Sequence, residues 1–380
     1  EERLGSFFGF FAFAISATIA LAYSSNLFAL FVFYEILTFI TYPLVSHGAD
    51  TESQMGARRY ILILVSSSVL FFLPAIVATY YITGTLDFKV GGIFPDATQN
   101  YILIVLSILF VYGIGKAALM PMHKWLPSAM VAPAPVSALL HAVAVVKAGV
   151  FSVLKIVVCI FGIDHFQDFG GSDWLVYIAG ISIVLASSIA LVQDNLKSRL
   201  AYSTISQLAY VVLAAGIATP LAIIGACVHI VAHGFSKITL FFAAGSIYLK
   251  SHIKSISKLD GLGKRMPWTM GAFGIGALGM IGIPPTAGFL GKWFILSSAV
   301  TFQDYFVLIV LMISTILNAA YFLPIIYGAF FKEEKNVPDN NHGDAPIIVI
   351  VPICITALIS ILLFCFPNIP VSLSYKLLGI

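Results

Sequence analysis

Five lysines and one glutamate stand inside long apolar stretches of this sequence, where a charge is costly. Lys116, Lys147, Lys155, Lys237 and Lys292 each interrupt such a stretch, and Glu35 lies within LFVFYEILTFITY; the other sixteen of the seventeen acidic residues fall in polar segments or at the ends. An ionised group at the centre of a bilayer costs about 2.5 to 3.5 kcal/mol on insertion scales, so Glu35 with four or five lysines costs on the order of 15 kcal/mol unless paired or hydrated. Packing alone does not call for such a cost. Lys155 lies near the end of its stretch and reads as a snorkelling side chain, its stem in hydrocarbon and its ammonium at the interface. The remaining groups need a function, and proton relay supplies one. Desolvation disfavours a buried ammonium, so a lysine there can hold or release a proton near neutral pH.

The stretch GACVHIVAHGFSKITLFFAAG sets His229, His233 and Lys237 at i, i+4 and i+8, on one stripe of a helix. Haem ligation would need facing histidines at matching depth, and His141 offers one position only; a hydrated proton path suits the stripe better. His123 and His141 are accessory candidates for that path. Sodium prefers oxygen ligands, and a single carboxylate among lysines makes a poor cation cage, so the path is read as one for protons. Cys159, Cys227, Cys354 and Cys365 fall in apolar runs with no CxxC or metal-ligand spacing. No P-loop, catalytic triad or dinucleotide fingerprint appears. We therefore expect no catalytic, cofactor or metal site in this chain, and assign any redox chemistry to partner subunits.

These groups must be positioned by membrane helices. The chain has 380 residues, 60% hydrophobic and 10% charged, with a mean hydropathy of +1.00. A soluble domain carries roughly 25% charged residues, so a water-soluble globule and a nucleic-acid binder are excluded. A helix needs about 20 apolar residues to cross the hydrocarbon. By that rule eleven spans are expected, at 4–23, 26–46, 60–82, 101–131, 134–161, 174–193, 200–218, 221–249, 270–299, 303–331 and 346–366. The runs are continuous and longer than barrel strands, which makes the class an all-α polytopic bundle. Basic residues support the count: on the N-terminal side fall Arg3, Arg58, Arg59, Lys124, Lys197, Arg199, Lys250, Lys254, Lys258, Lys264, Arg265, Lys332 and Lys335, and on the other side only Lys89 and Lys376. That asymmetry makes the N-terminal side cytoplasmic, or the matrix side in an organelle, and a bacterial inner membrane is the expected location.

Two spans look broken. YGIGKAALMPMHKWLPSAM places Gly113, Gly115, Pro121 and Pro127 around Lys116 and His123, and GALGMIGIPPTAGFLGKWF places Gly282, Pro284, Pro285, Gly288 and Gly291 before Lys292. Proline removes a backbone donor and glycine weakens a helix, so both stretches should unwind. The broken helix is the fourth in each of two groups of five, 1–161 and 174–331, with 346–366 as an additional helix. Five is odd, so the second unit should be inverted relative to the first.

With these residues in view, KAALMPMHKWLPSAM, APAPVSALLHAVAVVKAG, DNLKSRLAYSTISQLAY, HIVAHGFSKITLFFAAGS and GIPPTAGFLGKW resemble the antiporter-like proton-translocating subunits of respiratory complex I and of Mrp-type multisubunit cation/proton antiporters. The resemblance implies a fourteen-helix core, of which this chain would lack about three N-terminal helices, and a place among other membrane subunits. It implies that Glu35 and Lys116 form a coupling ion pair, that Lys147, His229, His233 and Lys237 form a central hydrophilic axis, and that Lys292 is its terminal lysine. GFLGK disfavours the complex I class with glutamate at that position, and no long lateral helix follows the last span; a D-like subunit of an Mrp-type antiporter fits best. A stand-alone secondary transporter of small anions and a haem or quinone redox subunit are the alternatives.

Overall fold

A computed structural model describes residues 4–48, 50–334 and 343–380; Arg3 and Lys335 of the basic count lie outside the described residues. Among the described residues the chain is helical, with isolated bridges and no named strand. Helices α1 (Leu4–Ala22) and α2 (Leu27–Val45) form a hairpin, with the Asn26 side chain capping α2 by accepting from Ala29 N at 2.8 Å. Then α3 (Thr51–Ser67) passes through a π-helical turn, Ser68–Phe72, into α4 (Leu73–Thr83). This helix starts at Thr51 instead of residue 60 because the Asp50 carboxylate caps it, accepting from Ser53 N at 2.8 Å. Hydrogen bonds from the Ser53 hydroxyl and backbone N–H hold the Asp50 carboxyl below its ordinary range. The continuous helix has 33 residues and is about 50 Å long, more than a bilayer core requires. Its polar first turns, with exposed Arg58 and Arg59, therefore project beyond the apolar body.

Helix α5 (Asn100–Gly113) stops after 14 residues, roughly 21 Å and too short to cross. The chain continues through short turns, α6 (Trp125–Ser128), α7 (Ala134–Ala138), a π-helical turn at Leu139–Val143, α8 (Val145–Ile156) and a second such turn at Val157–Phe161. Next come α9 (Ile163–Asp168), α10 (Gly171–Val192), α11 (Leu196–Ile217) and α12 (Pro220–Ser251). Helices α13 (Leu262–Arg265) and α14 (Pro267–Ile281) precede the second break, and α15 (Ala287–Thr301), α16 (Tyr305–Phe331) and α17 (Ile347–Cys365) complete the passes. Among the described residues nine helices, two of them continuous across π-helical turns, are long and apolar enough to span, and the α5 and α14 segments are shorter apolar helices at the two broken stretches. Of the eleven expected spans, those at 101–131 and 270–299 are not among these nine, and both are interrupted where glycine and proline lie.

The sequence expectation omits α18 (Asn368–Leu378). Its 11 residues are too few to span; Pro370, Ser374 and Leu378 lie one turn apart on its buried face, and it packs along α12. Helices α11 and α12 form the centre. Nearly all of α11 is buried, and α12 touches α7, α11, α14, α15, α17 and α18, whereas α1 and α17 present most of their surface outward. Two glycines permit the closest approaches. A Cβ at Gly149 would enter the Lys116–Ala117 peptide, and one at Gly291 would lie 2.8 Å from His229 Cα, so α8 and α15 can reach these backbones only without side chains.

Candidate functional site

At the first break α5 gives way to a single tight turn, Gly115–Ala117, followed by Ala118 in the left-handed region. Trp125 braces it, its Nε1–H donating to Gly115 O at 2.8 Å. The turn carries Lys116 into the protein, where it is wholly buried. Its ammonium donates to Tyr34 O at 2.7 Å and Thr38 Oγ1 at 2.5 Å, and lies 3.1 Å from the Tyr34 ring centroid. Its backbone N–H donates to Tyr34 Oη at 3.1 Å. Tyr34 and Thr38 are one turn apart on α2, on either side of Glu35.

The expected ion pair between Glu35 and Lys116 is not closed. Among the described residues the ion pairs are Arg265 with Glu334 and Lys332 with Asp260, and Glu35 Oε1 is buried without a hydrogen-bond partner. The two charges still interact through space. A helix carbonyl and a hydroxyl satisfy two donors of the ammonium in place of the carboxylate.

The second group gathers around α12. Lys147, on α8, lies 2.6 Å from His233 Nδ1, its hydrogen-bond partner among the described residues. His233 and His229 are stacked at 6.2 Å, and His229 stacks on Tyr210 of α11 at 5.5 Å. Lys292 lies 4.8 Å from the centroid of the Tyr210 ring, donating to Met280 O and Ile281 O at 2.9 Å each. Those carbonyls end α14, where the helix dipole favours a cation. Gly282, at φ 88°, makes the turn that exposes them. Lys237, one turn beyond His233, donates to Leu200 O at 2.9 Å and to Ser203 Oγ at a short contact.

His141 joins this group: it lies in the π-helical turn before Lys147, its ring tilted at 45° against Phe241 with centroids 5.2 Å apart, and interacts electrostatically with Lys237. Both ring nitrogens of His141 and His229, and His233 Nε2, are buried without a hydrogen-bond partner among the described residues. His123 stands apart in the unwound segment, only partly buried, its ring 6.4 Å from Tyr202. Lys155 donates to Ser24 O at 2.8 Å beside Phe88, near the end of its helix. Tyr34, Thr38, Ser203 and Tyr210 escaped the sequence reading. The signal was present in YSTISQLAY, an unusually polar run for a helix as buried as α11.

The family model described as NADH:quinone oxidoreductase/Mrp antiporter, transmembrane, matches residues 24–318. A relative in Desulforudis audaxviator, NADH-quinone oxidoreductase subunit N, is 33% identical over 336 residues, covering 86% of this chain and 65% of its own length. NAD(P)H-quinone oxidoreductase subunit 5 from chloroplasts of Ipomoea purpurea is 31% identical over 353 residues, covering 89% of this chain and 48% of its own. The chain thus spans about half to two thirds of the length of these curated relatives. Among solved structures, a chain of a membrane-bound sulfane sulfur reductase, an archaeal respiratory membrane complex, superposes with a TM-score of 0.86 at 24% identity, over 97% of this chain and 74% of its own. A chain of the Mrp complex from Dietzia sp. DQ12-45-1b gives 0.84 at 20% identity, over 97% and 76%. At these identities the two structures carry the fold alone.

Proposed function

Because this chain belongs to the NADH:quinone oxidoreductase/Mrp antiporter transmembrane family, and is an integral membrane protein, we propose that it moves protons along Lys116, Lys147, His233, His229, Lys237 and Lys292 as one subunit of a larger membrane complex. The contact between Lys147 and His233, 2.6 Å apart and buried, carries this reading. With Lys147 charged, it donates and Nδ1 accepts; moving one proton across the contact leaves an imidazolium and a neutral amine. Neither state needs a second partner to move. The buried ring nitrogens without partners among the described residues support the same reading, since such groups in folded proteins bind ordered water. Glu35, close to Lys116 and free of other hydrogen bonds at Oε1, is the acid that sets the charge of the first lysine. The test is proton transport in vesicles holding the assembled complex: Lys237→Ala should stop it with assembly intact, and parent-like transport would refute the relay.

The two five-helix units belong to this proposal. Asn26 bridges Asp87 in the first unit, and Asn195 bridges Ser255 in the second. Each asparagine caps the second helix of its unit and is followed by leucine, and each partner follows the third helix. Because the units hold an odd number of helices, the two bridges fall on opposite ends of the bundle, which supports the inversion. The basic residues at one end support placing that end in the cytoplasm of a bacterial inner membrane. Lys292 favours a D-like subunit of an Mrp-type antiporter; the 33% identity to subunit N favours a quinone oxidoreductase. Co-purification of the native complex separates the two readings, by the presence or absence of redox subunits.

A further inference from the structure

Helix α16 carries a polar stripe that the relay does not use. Ser314, Asn318 and Tyr321 are spaced i, i+4 and i+7 and are wholly buried, on a helix whose other faces expose Met312, Ile316 and Tyr327. The three are joined: the Tyr321 hydroxyl donates to Asn318 Oδ1 at a short contact, and Asn318 Nδ2 donates to Ser314 Oγ at 3.4 Å. At one end Tyr321 lies beside Ser203, the hydroxyl that receives the Lys237 ammonium. At the other end the Tyr210 hydroxyl lies beside Ser314 and Thr315, short of a closed bond, and the Tyr210 ring faces Lys292 at 4.8 Å. The stripe therefore begins at one relay lysine and ends at another, on a different route from His229 and His233.

The direction of its donors depends on Lys237. A charged ammonium has no lone pair, so Ser203 must accept from it and turn its own hydrogen to Leu200 O, 2.9 Å away. The ammonium field turns the Tyr321 oxygen toward Lys237 and its hydrogen away, to Asn318, and the amide donates onward to Ser314, so the positive ends of these two dipoles point along the stripe toward its Lys292 end. A neutral Lys237 can accept from Ser203 and no longer exerts the field that turns the Tyr321 hydrogen toward Asn318, which releases that order. No proton passes through the stripe, because an amide would have to go through its imidic tautomer. We propose that Ser314, Asn318 and Tyr321 are positioning residues that couple the charge states of Lys237 and Lys292. This rests on the proton-relay reading above. The other groups facing the two lysines are His141, His233 and Lys147 on Lys237 and His229 on Lys292, with Arg199 donating to Tyr321 O at 2.9 Å.

The experiment reads proton transport against pH, per assembled complex, in vesicles. Tyr321→Phe with Asn318→Leu removes both partners of the central bond, a change that apolar groups of similar shape tolerate better than loss of one partner. With the dipoles gone from Lys292, the alkaline limb should move to higher pH by about half a unit or more, with transport at the optimum retained. A superimposable profile overturns the coupling, as does a loss of assembled complex with an unshifted profile, which is what helix packing alone predicts. Ser314→Ala removes one hydroxyl and little volume; it should move the limb the same way by less, and a parent profile overturns the proposal even where the double variant does not assemble. Lys237→Ala, run in parallel, separates the two readings. If it transports like the parent, the relay itself fails; if it is silent while the stripe variants keep the parent profile, only the coupling fails.

Discussion

Replacing His233 by leucine tests the contact on which the proposed relay depends. The imidazole and the Lys147 ammonium are both buried and 2.6 Å apart, and no other hydrogen bond to Lys147 is formed among the described residues. A hydrogen bond to a charged group is worth about 1.5 to 3 kcal/mol. Leucine fills comparable space, so the change falls mainly on the charged state of Lys147. At 1.36 kcal/mol per tenfold in rate, transport should fall roughly 10- to 160-fold. The assay is quenching of a pH-sensitive dye in vesicles, normalised to complex assembled in the membrane. Asparagine at the same position refines the result: its carbonyl oxygen can stand where Nδ1 does and hold Lys147, but it does not titrate. Full recovery with asparagine assigns His233 to holding the lysine, and continued loss assigns it to carrying the proton. Transport within about twofold of the parent for His233→Leu, in assembled complex, is less than the smallest loss worked above and would refute the argument.

Glu35→Gln keeps size and removes charge; transport should fall heavily with the fold retained, while Glu35→Asp keeps part of it, and a glutamine variant that transports like the parent would remove Glu35 from the mechanism. Gly149→Leu forces a side chain into the Lys116–Ala117 peptide and should destabilise the bundle by about 1 to 3 kcal/mol or more, visible as a lower thermal midpoint in detergent; an unchanged midpoint would show that α8 can shift without cost. Lys155→Ala removes a lysine whose partner is the Ser24 carbonyl at a helix end, so transport should stay within about twofold, as for other lightly held interfacial charges, and a tenfold loss would place it in the relay.

Several features were legible before any coordinates, each for a physical reason. The spans could be read because a membrane helix must be apolar over a fixed length, and the breaks because proline and glycine act on the backbone locally. The stripe of His229, His233 and Lys237 followed from helical periodicity. A helix end was misplaced at Thr51, where a single aspartate cap extends the helix past its apolar run. Helix α18 was missed because eleven amphipathic residues resemble a loop to any reading tuned to spans.

The partners of the buried charges were a different matter. Glu35 and Lys116 are the obvious pair by charge, yet Lys116 reaches Tyr34 O and Thr38 Oγ1, because the rotation of α2 against the unwound turn sets which atoms face the ammonium. Nothing in the order of residues specifies that rotation. Nor could the sequence single out Ser314, Asn318 and Tyr321, uncharged side chains in an apolar helix, until α16 was packed against α10, α14 and α15. The sequence by itself determined which groups are expensive to bury and which helices carry them, since both depend on residue type and local spacing. Tertiary structure alone decided which polar atom offsets each charge, because a hydrogen bond is made within about 3 Å and helix rotation and depth must be fixed before any such distance exists.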